Sequence, residues 1–171
     1  MPNLLGDEVE EKRWLRRPTT LQRISAADLS DFPRLTEREL IILASGPYQL
    51  QLAASYLAET LDDHDNVQMS FVKEERTIVR LEIASRHINR KTYRLFIKYR
   101  PGLNNIEGIE GHWCECPNGS RTVGCCSHVA AAIYYLCHAR YLGNIPRPAA
   151  DLMQIFAVED EVESDDDYGS E

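Results

Sequence analysis

The chain has 171 residues, of which 43% are hydrophobic, enough for one domain with a core and tails. No apolar run approaches the ~20 residues of a membrane span, so we expect no contact with a membrane. Eight of the 27 acidic residues lie between Glu159 and Glu171, a stretch without Lys or Arg. The other 19 equal the 19 basic residues, so the net charge of -8 belongs to the tail. A tail of this composition is expected to be disordered.

Residues 1–24 show no clean periodicity, which favours a flexible N-terminal arm. Four basic residues surround Trp14 in the sequence KRWLRRP, from Lys12 to Pro18. This stretch is either a solvated arm whose Trp14 docks on the core, which is the simpler interpretation, or a weak nuclear-localisation or phosphate-contact segment.

Residues 25–110 predict helices packed on a small antiparallel β-meander. The capping box from Thr36 to Glu39 predicts a helix that starts near Glu37, and Pro47 opens a second helix over 48–61. Residues 67–100 alternate as three strands. In the third strand, one face is apolar and the other carries Phe96 between basic residues.

That third strand and the turn before it form a basic patch. Basic side chains with an interleaved aromatic suit a nucleic-acid backbone, either DNA or RNA. The alternative is a solvated sheet face whose arginines pair with the acidic tail or an acidic partner. The candidate nucleic-acid contacts are Arg86, Arg90, Lys91, Arg94, Lys98 and Arg100.

The stretch HWCECPNGSRTVGCCSH holds four of the five cysteines. Cys114, Cys116, Cys126 and His128 read as Cys-x-Cys, nine residues, then Cys-x-His, which can close a tetrahedron around one structural zinc ion. Unligated core cysteines or a disulfide pair are the alternatives. The odd cysteine count and the lack of an N-terminal signal sequence favour a reducing compartment, where the pattern is more often metal-binding.

The same stretch predicts a ββα finger over 111–142. Asn118-Gly119 is a hairpin turn, and a helix follows from His128 to about Tyr141. Strict alternation across the turn places Cys125 on the ligand face, unless a bulge at Gly124 resets the parity. The Cys-x-His spacing favours Cys126, which leaves Cys125 as a small buried neighbour.

Cys-x-Cys…Cys-x-His followed by a helix resembles the SWIM-type zinc finger. Between about Asp31 and Leu142, the chain also contains the short motifs DFPRL, GPYQL, SRH and RTVGCCSH. These motifs resemble the region that follows the catalytic domain in some transposon-encoded, DDE-type transposase-like proteins. The resemblance implies a zinc-binding interaction module, acting on nucleic acid or protein, from a mobile-element lineage. We expect the protein to be intracellular and nuclear. No spaced Asp/Asp/Glu set accompanies it, so we expect no enzyme and no small-molecule substrate.

Residues 143–171 are expected to be a linker, a short apolar segment from Asp151 to Val158, and the acidic tail. A protein partner, the alternative to nucleic acid, would use that segment or the aromatic flank of the last helix. That flank consists of Tyr134, Tyr135, His138 and Tyr141. The predicted class is therefore α+β, with N-terminal helices on a meander, a zinc-stapled finger and a disordered tail.

Overall fold

The computed structural model describes residues 4–62, 64, 67–85, 88–119 and 124–145. It is a mixed α and β fold, as predicted. Its elements, in chain order, are α1 (Leu4–Glu11), β1 (Leu21–Ile24), α2 (Glu37–Leu43), α3 (Pro47–Thr60), β2 (Met69–Val72), β3 (Glu75–Ala84), β4 (Thr92–Tyr99), β5 (Ile109–Cys114) and α4 (Ser127–Cys137).

Five strands form one antiparallel sheet in the order β1-β2-β3-β4-β5. The predicted three-stranded meander is its centre, and β1 and β5 extend it on either side. The sequence did not indicate β1 because it has only four residues, two of them exposed. The boundary predicted between residues 110 and 111 falls inside β5, so the sheet is continuous with the start of the finger.

One face of the sheet and helices α3 and α4 enclose the main core. Tyr93, Leu95 and Ile97 alternate towards it from β4, as the period of a strand requires. The predicted capping box at the start of α2 is present: the backbone N–H of Glu39 donates to the Thr36 hydroxyl, and the Glu39 carboxylate accepts from the Thr36 backbone. These local signals place the helices, and packing on the sheet stabilises them.

The opposite face of the sheet is covered by the N-terminal residues. Leu5 and Val9 of α1 and the buried Trp14 pack with Phe96 of β4 in a second core cluster. The ring centroids of Trp14 and Phe96 lie 5.7 Å apart. The structure therefore differs from the predicted flexible arm over residues 4–24, although the docking of Trp14 is confirmed.

The last described residue is Ile145, which is buried. The apolar segment from Asp151 to Val158 and the acidic tail lie outside the described residues, so their predicted roles stay predictions. None of the helices described here has the length and apolar character needed to cross a membrane.

Candidate metal centre

Four buried side chains with metal-binding atoms meet where β5 approaches the start of α4. Cys114 is the last residue of β5, and Cys116 follows two residues later. Cys126 is the N-cap of α4, and His128 lies in its first turn. Their ligand atoms all lie within 4.8 Å of one another. Ligands bonded at ~2.3 Å in a tetrahedron lie about 3.8 Å apart, so the cluster is near the size that one zinc ion requires.

A tight turn after β5 brings Gly119 back against Cys114. The backbone N–H of Glu115 still donates to the Arg94 carbonyl, and the N–H of Gly119 closes the turn on the Cys116 carbonyl at 2.8 Å. A Cβ on Gly119 would lie 1.7 Å from the Cys114 carbonyl oxygen, so only glycine fits. A tight turn is therefore present, but it lies one residue earlier than predicted: its central residues are Pro117 and Asn118, and neither Asn118 nor Gly119 has the positive φ on which the prediction was based. The second strand of the predicted hairpin falls at residues 120–123, which are not described, so that strand stays a prediction.

The structure also decides between the two adjacent cysteines. Gly124 has a φ of +66°, a left-handed conformation that bends the chain just before them. Cys126 then caps α4, and its sulfur accepts a hydrogen bond from the Val129 backbone N–H at 3.5 Å. Cys125 is buried but lies outside the four-residue cluster. The prediction that Cys126 is the ligand is confirmed.

The imidazole of His128 is buried, and neither ring nitrogen has a hydrogen-bond partner among the described residues. Its ring lies between the rings of Tyr56 and Tyr93, with centroids at 4.9 Å and 4.8 Å. A buried imidazole without a partner is costly, because both nitrogens have lost their contact with water. A bound metal ion would satisfy one of them. The residues of the site therefore fit zinc.

The three thiols interact with one another. Hydrogen bonds from Cys114 and Cys126 lower the pKa of Cys116, and the hydrogen bond with Cys116 raises the pKa of Cys114. Thiolates are the form of cysteine that binds metal. A divalent cation would favour loss of the other protons, since its binding and their release are coupled.

The predicted basic face of the sheet is occupied by ion pairs. The guanidinium of Arg94 contacts both carboxylate oxygens of Glu115, at 2.9 and 2.5 Å, and donates to the Leu15 carbonyl at 2.8 Å. The ammonium of Lys98 lies 2.9 Å from a Glu75 oxygen. With Phe96 buried, this face does not present an aromatic between free cations. The predicted alternation of β4 is present, but the carboxylates that neutralise its basic side chains come from other parts of the chain.

The remaining basic candidates are more exposed. Arg100 pairs with Glu110 at 2.8 Å, although its side chain is 57% exposed. Arg90 and Lys91 lie exposed in the turn between β3 and β4. Arg86 lies outside the described residues. Arg90 and Lys91 are therefore the described candidates that differ from the ion-paired Arg94, Lys98 and Arg100.

The aromatic flank predicted on α4 is only partly on the surface. Tyr135 is buried, and Tyr134 is half-buried with its ring 5.8 Å from that of His138. Tyr141 is exposed, and the guanidinium of Arg34 lies 3.7 Å from its ring centroid. Tyr135 therefore cannot serve the partner contact that the sequence suggested.

The comparison with family models agrees with this geometry. Residues 99–137, from the last residue of β4 to the last residue of α4, match the model of the SWIM zinc finger. The matched segment contains all four residues of the cluster, which are positioned to bind one zinc ion. No curated protein and no solved structure matched the chain.

Proposed function

We propose that this protein is an interaction module stabilised by one structural zinc ion. The observation that carries the proposal is the buried cluster of three cysteines and one histidine, since four protein ligands complete a tetrahedral sphere. Such a sphere leaves no position for a water or a substrate, so we assign no catalytic role to the ion. Its role would be to join the end of β5 to the first turn of α4.

Single-cysteine variants and their zinc content test this proposal. The Cys126→Ala protein should lose the ion, whereas Cys125→Ala, a change of the adjacent buried cysteine, should retain one ion per chain in native mass spectrometry. Chelation should lower the unfolding temperature of the parent and of Cys125→Ala. At free zinc about 100-fold above Kd, the ion contributes about 2.7 kcal/mol. Equal zinc content in both variants, or unfolding of the parent that is insensitive to chelation, would contradict the proposal.

Nucleic acid is the partner that we propose first. The support for this proposal is a set of exposed basic residues that take no part in the ion pairs of β4. They lie at the turn that carries Arg90 and Lys91, and in the N-terminal cover, by which we mean residues 4–16 over the second face of the sheet. There Arg13 and Arg16 line one surface concavity of about 410 Å³ with Val9, Glu10 and Leu15. Neither guanidinium forms an ion pair within the described part of the chain. Guanidinium groups suit phosphate because they donate two parallel hydrogen bonds.

Binding should be measured by fluorescence anisotropy with labelled duplex DNA, single-stranded DNA and RNA at several salt concentrations. Replacing Arg90 and Lys91 by Glu, or Arg13 and Arg16 by Glu, should weaken binding and reduce the salt slope by about one to two. Arg38→Glu on α2, another exposed position, is the matched control. No binding to any probe at low salt, either by the parent or by a chain that lacks residues 159–171, would refute a nucleic-acid partner.

A protein partner is the second candidate, and exposed apolar side chains at the corner between α2 and α3 favour it. Ile42 is 58% exposed and Tyr48 is 66% exposed. The corner adjoins the finger, because a Cβ on Gly124 would meet the Ser45 hydroxyl at 2.9 Å. Deleting residues 159–171 separates the two candidates. Duplex binding that appears only after the deletion would mean that the acidic tail masks a nucleic-acid surface, and its absence in both forms would favour a protein partner.

The mobile-element lineage and the nuclear location stay predictions, because they depend on short sequence motifs alone. The zinc proposal does not require either of them.

A further inference from the structure

The imidazole of His128 is held by two aromatic rings that come from outside the segment matched by the finger family. Tyr56 belongs to α3, and its ring meets the imidazole edge-on at an interplanar angle of 72°. Tyr93 belongs to β4, and its ring is tilted by 53°. Both tyrosines are buried. Two elements that begin before the matched segment therefore enclose the only imidazole of the cluster.

This arrangement differs from the usual support of a metal-binding histidine. A ligating imidazole ordinarily donates its second N–H to a carboxylate, a carbonyl or water, which sets the plane of the ring. Within the part of the chain that the structure describes, neither nitrogen of His128 has such a partner. Aromatic rings with centroids near 5 Å are in contact, and their preferred angles restrict rotation of the ring between them. The ring plane is thus set by packing and not by a hydrogen bond.

We propose that Tyr56 and Tyr93 are positioning residues for zinc, which hold the His128 ring in the orientation that ligation needs. The zinc affinity of the finger is then partly set by Tyr56 of α3 and Tyr93 of β4, which lie outside residues 99–137. Other contacts join the same parts, since the Ser127 hydroxyl donates to the Gln49 amide oxygen at 2.7 Å. The inference depends on ligation by His128 and does not depend on the identity of the partner.

The proposal separates ring positioning from general packing, because a thiolate has no ring to orient. In a His128→Cys background, four cysteines still form a competent zinc site. Loss of an aromatic neighbour should therefore weaken metal binding when residue 128 is histidine and have little effect when it is cysteine. A tyrosine that only supports the core would affect both backgrounds equally.

The experiment titrates the full-length chain with Co²⁺, followed by its visible absorption, and then displaces Co²⁺ with zinc. Tyr93→Leu should weaken affinity about 10–100-fold in the parent, the usual effect of removing support from a metal ligand. Tyr93→Phe, which keeps the ring, should remain within about threefold of the parent. In the His128→Cys background, Tyr93→Leu should change affinity by less than about threefold.

Equal losses in the two backgrounds, or no loss in the parent, would overturn the proposal. Circular dichroism should confirm that each variant folds. If Tyr93→Leu does not fold, the same cycle with Tyr56→Leu and Tyr56→Phe decides the question. In that cycle a loss confined to the histidine background supports the proposal, and any other pattern overturns it.

Discussion

Replacing Trp14 by alanine should destabilise the whole domain, although this residue belongs to a stretch whose sequence has no regular pattern. Trp14 is 1% exposed and packs with Val9, Ile78 and Phe96 on the second face of the sheet. Truncation of a buried Trp to Ala typically costs 3–5 kcal/mol, because contacts are lost and a cavity remains. Its indole N–H is buried and has no hydrogen-bond partner among the described residues, so the variant also removes an unsatisfied donor. We therefore expect a loss near the lower end, about 3 kcal/mol.

The assay is equilibrium urea unfolding of the zinc-loaded protein, followed by circular dichroism and by tryptophan fluorescence, which in the Trp14 variants comes from Trp113 alone. Trp14→Phe should cost much less than Trp14→Ala, because most of the ring is retained. Ile42→Ala, at an exposed position, should stay within about 0.5 kcal/mol of the parent. If Trp14→Ala also changed stability by less than about 0.5 kcal/mol, the N-terminal cover would not be part of the cooperative fold, and the flexible arm would be the better description.

Two further predictions concern the turn beside the metal site and the charges on the sheet. Gly119→Ala should weaken zinc binding and lower the free energy of unfolding by an amount near the upper end of the usual 0.5–3 kcal/mol, because its Cβ would overlap the Cys114 carbonyl. Gly143→Ala is the control, since the space around Gly143 is open, and it should change neither quantity in the same zinc titration and thermal melt. A normal site in Gly119→Ala would mean that the turn adopts another conformation. The hydrogen bond from Lys98 is the main cause that lowers the pKa of Glu75 below 4.5, so this carboxylate contributes stability above that pH and loses it as the pH falls towards the folded-state pKa. Glu75→Gln should therefore be less stable than the parent by up to about 1 kcal/mol near neutral pH, and this difference should shrink below pH 4.5. Urea unfolding at several pH values measures it, and a difference that does not change with pH would disprove this account.

The metal ligands and the helix starts could be predicted from the sequence because their determinants are local. The spacing of Cys114 and Cys116, the turn at Gly119 and the capping box at Thr36 each act within a few residues, where chain geometry alone restricts the structure. Cys126 was favoured over Cys125 by the Cys-x-His spacing, and the bend at Gly124 that precedes the two cysteines is also local. For these features the sequence was sufficient.

The tertiary structure alone decided what surrounds these local elements. Lys98 contacts Glu8 across 90 positions of sequence, and Arg94 contacts Glu115 across 21, so the basic pattern of β4 gave no sign of its partners. The ring of His128 is likewise enclosed by side chains from two distant elements. Periodicity reports which face a side chain takes, but the groups that meet it there depend on how elements far apart in sequence pack together. Because of that packing, the face of β4 that carries Arg94 and Lys98 is covered and ion-paired, although its sequence predicts an exposed cationic surface.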